Sequence, residues 1–338
     1  MTITERDWKQ LEADRHTHGT TVRRIYPQSP HEIFIAIRHP DGSRMLTLGV
    51  GTRTAAEVLR RLQTLPRTRG LEMSFARLGD DHSELRVVLT DRDLREVFNP
   101  LASDIASTAQ AESSSADAVL AAFNRFEYWR RMLQSLAETG LTSEARRGLF
   151  GELALLRNQL LLALPAADAV RAWTGPTAAN QDFQLPGTAI EVKTSSGKEP
   201  QTLVISNERE LDGNGVARLM LAHFSLDERR GGSGESLNAA VDGTRVAVTE
   251  AAARSVLDEL LVRAGYLRSQ RDLYDEPRYT VRRQRFWNVT GDFPRITEAE
   301  LRPGVGDCRY RIATAGLDRY LMTTEQVAAV ITGGVLDE

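Results

Sequence analysis

The stretch NQDFQLPGTAIEVKTSSGK, residues Asn180 to Lys198, decides how this chain is read. Two short runs with strand chemistry flank Pro186-Gly187, a dipeptide suited to the centre of a tight turn. Such a turn brings Asp182 directly opposite Glu191, with Cβ atoms about 5 Å apart. Side chains alternate along a strand, so Lys193 shares the face of Glu191, while Ile190 and Val192 point into the opposite, apolar layer. Two opposed carboxylates repel, and either a divalent cation or the nearby lysine removes that cost. Pro-Gly suits a type II turn, whereas two-residue hairpins favour the mirror-image types. A four-residue loop centred on the same point keeps the register. Lysine is scarce here: Lys9, Lys193 and Lys198 are the only three among 43 basic residues, so Lys193 stands where arginine was the habitual choice.

Upstream, TSEARRGLFGELALLRNQLLLAL (Thr142–Leu164) has the period of a long helix, with Ser143 placed as its N-cap and Glu144 in the first turn. Leu149, Leu153, Leu156 and Leu160 trace the apolar stripe, and Glu152 falls inside it. A carboxylate in that position is expected to be coordinated or paired, with Arg146 and Arg157 as the alternative partners. Gly148 and Gly151 flank it and permit close backbone approach, at a cost in helix propensity.

Together these residues resemble the PD-(D/E)XK nuclease superfamily, the restriction-endonuclease-like fold. Its signature maps onto Asp182, then Glu191 and Lys193, with Glu152 as the acid of the preceding helix. Position 181 is Gln where the motif usually carries Pro. RRGLFGELALL, DFQLPGTAIEVKTS, ISNERELD (Ile205–Asp212), AGY and DFPRI look more specifically like a bacterial family of PD-(D/E)XK-motif proteins that accompanies restriction–modification and phage-defence genes. The resemblance implies Mg²⁺-dependent (or Mn²⁺-dependent) hydrolysis of DNA phosphodiester bonds. It assigns Asp182, Glu191, Glu152 and the carbonyl of Val192 to the metal, and Lys193 to the attacking water and the developing charge. Cutting both strands with one site per chain implies a homodimer or a partner restriction–modification protein. The competing reading is a DNA-binding or scaffolding subunit that keeps the fold without cutting; an RNA target also stays open.

The rest of the chain sets bounds. With 338 residues and a net charge of −3, there is room for two ordinary domains and no overall basic character. A single Cys308, a charged start and no membrane-length apolar run give the expectation of a cytoplasmic protein. Four strand-like runs (32–38, 44–50, 71–78, 84–90) and a helical segment at 54–65 suggest a β-rich domain over residues 1–104. Residues 105–141 read as a polar stretch, QAESSSADA, suited to a linker or a helix entry, followed by an amphipathic helix on Val119, Phe123, Phe126, Trp129, Leu133 and Leu136, expected to pack on the second domain. Residues 142–338 alternate helices and strands, giving an α/β fold with a mixed sheet flanked by helices. Arg282, Arg283, Arg285, Arg309 and Arg311 lie in two strand-like segments and are candidate phosphate contacts; protection of exposed strand edges is the alternative. Glu210 in SNERELD is expected on an exposed helix face, with a place near the site as the alternative; GGSGES (Gly231–Ser236) is expected to be a flexible loop, and the scattered histidines are assigned no role.

Overall fold

A computed structural model describes residues 3–14, 16–62, 65–68, 70–197, 199 and 201–334, and leaves undescribed the side chains of 67 and 135–138. Lys198, the end of the 54–65 helical segment and the side chain of Leu136 therefore lie outside the described residues. The chain divides into two compact units, 1–139 and 140–338.

In the first unit the elements are α1 (Glu5–Glu12), β1 (Gly19–Ile25), β2 (Ile33–His39), β3 (Ser43–Gly51), α2 (Thr52–Leu62), β4 (Arg67–Thr68), β5 (Leu71–Arg77), β6 (His82–Leu89), α3 (Arg95–Gln110) and α4 (Ser115–Thr139). Its six strands form an antiparallel sheet in the order β1-β2-β3-β6-β5-β4. One apolar face, with Ile33, Ile35, Leu46, Leu48, Leu85 and Val87, is buried together with Ile105, Ala106 and Ala109 of α3. The amphipathic helix expected on the second domain is α4, and it packs instead on α3, α2 and β3. The polar run before it is a helix start rather than a linker, because Ser114 Oγ accepts the Asp117 amide at 3.1 Å. The chain start is also ordered: Trp8 of α1 is fully buried, and Arg44 beneath it pairs with Glu5 at 2.5 Å and Glu12 at 3.0 Å.

The second unit contains α5 (Ser143–Leu155), a π-helical turn (Leu156–Leu160), α6 (Leu161–Ala163), α7 (Ala166–Ala172), β7 (Phe183–Leu185), β8 (Thr188–Ser195), β9 (Thr202–Ile205), β10 (Arg218–Arg229), β11 (Glu235–Ser236), α8 (Leu237–Ala247), α9 (Ala251–Arg263), β12 (Arg278–Asn288), β13 (Tyr310–Ala313) and α10 (Thr324–Ile331). A mixed sheet runs β11-β12-β10-β8-β7, with β8 and β10 parallel and the other pairs antiparallel. A small antiparallel pair, β9 with β13, stands apart. Its Leu203, Ile205 and Ile312 pack in one core with Ala189, Leu219, Leu221 and Trp287 of the main sheet. The main sheet thus has helix α5 on one face and the small pair on the other. Ser236 is not in a loose loop: its hydroxyl accepts the Ala239 amide at 3.1 Å and caps α8. The N-cap of α5 is Thr142, one residue earlier than expected.

Helix α5 lies against β8 at Gly151. A Cβ there would come within 2.4 Å of Thr194 Cγ2 and 3.4 Å of Val192 Cγ1. Gly148 makes no such approach; its nearest neighbour is Glu152 Oε1 at 4.0 Å. Gly151→Ala is therefore expected to lift the helix and cost about 1–3 kcal/mol. Gly148→Ala should be neutral or slightly stabilising through helix propensity. Denaturant unfolding of the two variants distinguishes them; equal effects would contradict this packing.

Candidate active site

The Pro186-Gly187 turn sets the site. Leu185 pairs with Thr188, Gln184 with Ala189 and Phe183 with Ile190, so the two-residue turn holds the register inferred from the sequence. Gly187 has φ +72°, as the second central residue of a type II turn requires, so here Pro-Gly replaces the commoner mirror-image turn. Carried one residue further, that register sets Asp182 level with Glu191. Asp182 Oδ2 accepts the Val192 amide at 2.8 Å. Its main-chain carbonyl accepts the amides of Thr174 and Gly175 at 2.8 and 2.9 Å. The acid is held by backbone on both sides.

Glu152 approaches from α5. Its Oε2 accepts the indole N–H of buried Trp173 at 2.7 Å. Neither arginine considered as its partner is used: Arg157 pairs with Glu235 at 2.6 Å, and Arg146 donates to the carbonyl of Leu141 at 2.8 Å. Gly175 explains how two carboxylates fit side by side. A Cβ at that position would lie 2.8 Å from Asp182 Oδ1 and 3.3 Å from Glu152 Oε2.

Lys193 stands on β8 two residues beyond Glu191, and its ammonium is 2.6 Å from Glu191 Oε1 and 2.6 Å from Glu210 Oε2. Glu210 is buried, not on an exposed helix face. Parallel strands need a crossover between them, and the β8-to-β10 crossover carries Glu210 on a turn over the end of β8. Glu210 Oε2 also accepts the Ser206 amide at 3.0 Å. Gln181, beside Asp182, donates to the carbonyl of Arg209 at 2.8 Å and ties the crossover to the hairpin.

Four acids therefore surround one ammonium. Burial, then the neighbouring Asp182, pushes Glu191 and Glu152 well above the usual carboxylate range. Burial raises Asp182 to about 6, against the opposing pull of the Val192 amide and Lys193. Burial works against the Lys193 charge, but Glu191 and Glu210 outweigh it and raise its pKa. Among the described residues, no three His, Cys, Asp or Glu side chains are arranged to hold a metal ion as they stand. The donor set nevertheless fits a hard cation: all donors are oxygen, and once ionised their charge would exceed what Lys193 balances. Asp182 Oδ1, Glu152 Oε1 and Glu191 Oε2 each lack a hydrogen-bond partner among the described residues.

The arginines divide into separate groups. Arg282 donates to the carbonyl of Gly197 at 2.9 Å and pins the end of β8, while Arg283 and Arg285 share Glu199 at 3.5 and 3.3 Å. Arg309 and Arg311 lie exposed before and within β13. Three contributors were not assigned to the site from the sequence. Trp173 and Glu210 act over long sequence separations that no local pattern reports. His223, a lone polar residue inside the apolar run LMLAHFSL, was legible. It pairs level with Lys193, lies 2.8 Å from Ser195 Oγ and stacks on Trp287. Burial, with Arg285 alongside, lowers it to about 4, so it is neutral at physiological pH.

The raised Asp182 makes a stability prediction. Its folded value of about 6 exceeds the ordinary 3.8, so the group opposes folding at neutral pH, and that opposition is lost as pH falls through 6 toward 4. In chelator, Asp182→Asn should be more stable than the parent at pH 7.5 by an amount on the order of 2 kcal/mol, with the gap closing near pH 4. Urea unfolding at several pH values checks this; a gap that is independent of pH would contradict the electrostatic account.

Comparison with known proteins finds no match among curated proteins or solved structures. A family model does match, over residues 4–315. It is described as "Putative PD-(D/E)XK family member (DUF4420)" and spans nearly the whole chain, both units included. The mixed sheet with a helix on its face agrees with that description, and the chain belongs to this PD-(D/E)XK family.

Proposed function

We propose that the chain is a Mg²⁺-dependent (or Mn²⁺-dependent) endonuclease that hydrolyses DNA phosphodiester bonds, in the restriction–modification or phage-defence setting that the family likeness implies. One observation carries the reading: Asp182, Glu191 and Glu152 crowd more buried carboxyl groups around Lys193 than one ammonium can pair, and their proton affinity rises accordingly. Asp182 and Glu191, with Glu152 and the Val192 carbonyl, would hold the cation. When bound, such an ion polarises a phosphoryl oxygen and lowers the pKa of water.

The remaining steps belong to the protein. Lys193 is held charged by Glu191 and Glu210, so it serves as a donor and counter-charge rather than as a base. It orients the attacking water and stabilises charge developing on phosphorus oxygens. An incoming phosphate competes with Glu210 for the ammonium; Glu210 rides on a turn, Glu191 on a central strand. Arg282, Arg283 and Arg285 on β12, with Arg309 and Arg311 at β13, supply phosphate contacts. DNA partners, and dimerisation for double-strand cutting, belong to the same proposal. The second reading, a non-cleaving DNA-binding subunit, is favoured by the two ion pairs that already occupy Lys193.

Incubating the purified chain with Mg²⁺ and supercoiled, linear and single-stranded DNA separates the two. Cleavage is expected, with Lys193→Ala and Asp182→Ala each lowering the rate at least about 100-fold. Cleavage that survives both substitutions would sink the site assignment. DNA binding without cleavage under any divalent ion would favour the scaffolding reading.

A further inference from the structure

A second feature lies at β13, apart from the acids around Lys193. Residues on β13 and the segments flanking it enclose an open cavity of about 470 Å³. Its lining includes Arg295, Arg311 and Arg319, the rings of Tyr310 and Tyr320, and a single acid, Asp292. The size falls within the range of small-ligand sites, about 300–1,000 Å³.

Each lining group has a defined state. Arg319 lies 4.7 Å over the Tyr320 ring and pairs with Asp292 at 2.8 Å. Tyr320 donates to the other Asp292 oxygen at 2.7 Å, so this acid is consumed in holding the Arg319–Tyr320 stack. The Arg319 side chain is 62% exposed, which leaves the outer face of its guanidinium plane open. Arg311 is exposed and has no acid partner among the described residues. Arg295 donates to the carbonyl of Leu211 at 2.9 Å, one residue after Glu210. Tyr310 pairs with Ile205, immediately before Ser206, whose amide binds Glu210. The cavity wall is thus built onto the same short turn that holds the Lys193 partner.

We propose that this cavity is a subsite for one unpaired nucleotide of the substrate strand, with Arg311 and Arg295 on its phosphate and the base stacked on the Arg319 plane. Guanidinium planes and aromatic rings bind splayed-out bases in this way, whereas paired bases offer no free face. This rests on the nuclease reading above and deepens it: the preferred substrate carries a single-stranded, flapped or flipped nucleotide beside the scissile bond.

The test uses the full chain carrying Asp182→Asn, in chelator, so that binding is separated from cutting. Fluorescence anisotropy compares a labelled single-stranded oligonucleotide with its duplex; calorimetry compares dAMP with inorganic phosphate. The single strand should bind more tightly than the duplex, and dAMP should compete with it. Arg319→Ala should weaken dAMP and the single strand about tenfold while leaving inorganic phosphate unchanged. Arg311→Ala should weaken all three, and Arg311→Lys should restore most of the loss, with thermal unfolding confirming that each variant folds. Equal affinity of parent and both alanine variants for the single strand would overturn the subsite, as would tighter duplex binding. So would dAMP binding without oligonucleotide binding, which would indicate a free nucleotide as the ligand. Those failures leave cleavage by the parent chain untouched, whereas nucleotide binding with no cleavage by the parent would retain the subsite and remove the hydrolytic reading.

Discussion

The ammonium of Lys193 sits 2.6 Å from each of two carboxylates, on a strand whose neighbours are largely buried. A charge in such a place is tolerated only when it is paired and hydrogen-bonded. Glu191 supplies one partner by strand alternation alone. Glu210 supplies the other only because β8 and β10 run parallel, which forces the chain to cross over and return. Ser206, Gln181 and Arg295 then fix that crossover by hydrogen bonds to it or within it. The ion pairs thus tie the hairpin, the crossover and the small β9–β13 pair into one arrangement.

The same crowding explains the two glycines. Gly151 lets α5 descend onto Val192 and Thr194, which brings Glu152 to the level of Asp182. Gly175 leaves the space in which the two carboxylates stand together. Side chains at either position would separate the acids and relieve their repulsion. The fold instead keeps them close and raises their proton affinity. An arrangement that gains nothing for the stability of the bare chain fits the cation site proposed above.

The hairpin was legible because its information is local. A Pro-Gly pair fixes the turn, alternation fixes the faces, and Asp182, Glu191 and Lys193 follow. Glu152 was legible as a charge inside an apolar stripe, but its partner Trp173 was not, since the contact depends on how α7 returns along the sheet. Glu210 was misread for a related reason: nothing within SNERELD states that the segment is a crossover. The first unit was ended too early, at 104 rather than 139, because a polar run serves equally as a linker and as a helix cap, and Ser114 is the cap. The α/β class and mixed sheet were readable from alternation of elements; which faces meet was not.

Counting bound ions tests the central claim directly, that the excess of buried acid exists to hold a divalent cation. Electron paramagnetic resonance of Mn²⁺ titrated into the parent chain and into Asp182→Asn reports free and bound ion separately. The account predicts saturable binding of about one ion per chain to the parent, lost in the variant and displaced by Mg²⁺. Identical Mn²⁺ binding by the two proteins, or none by the parent, would contradict it.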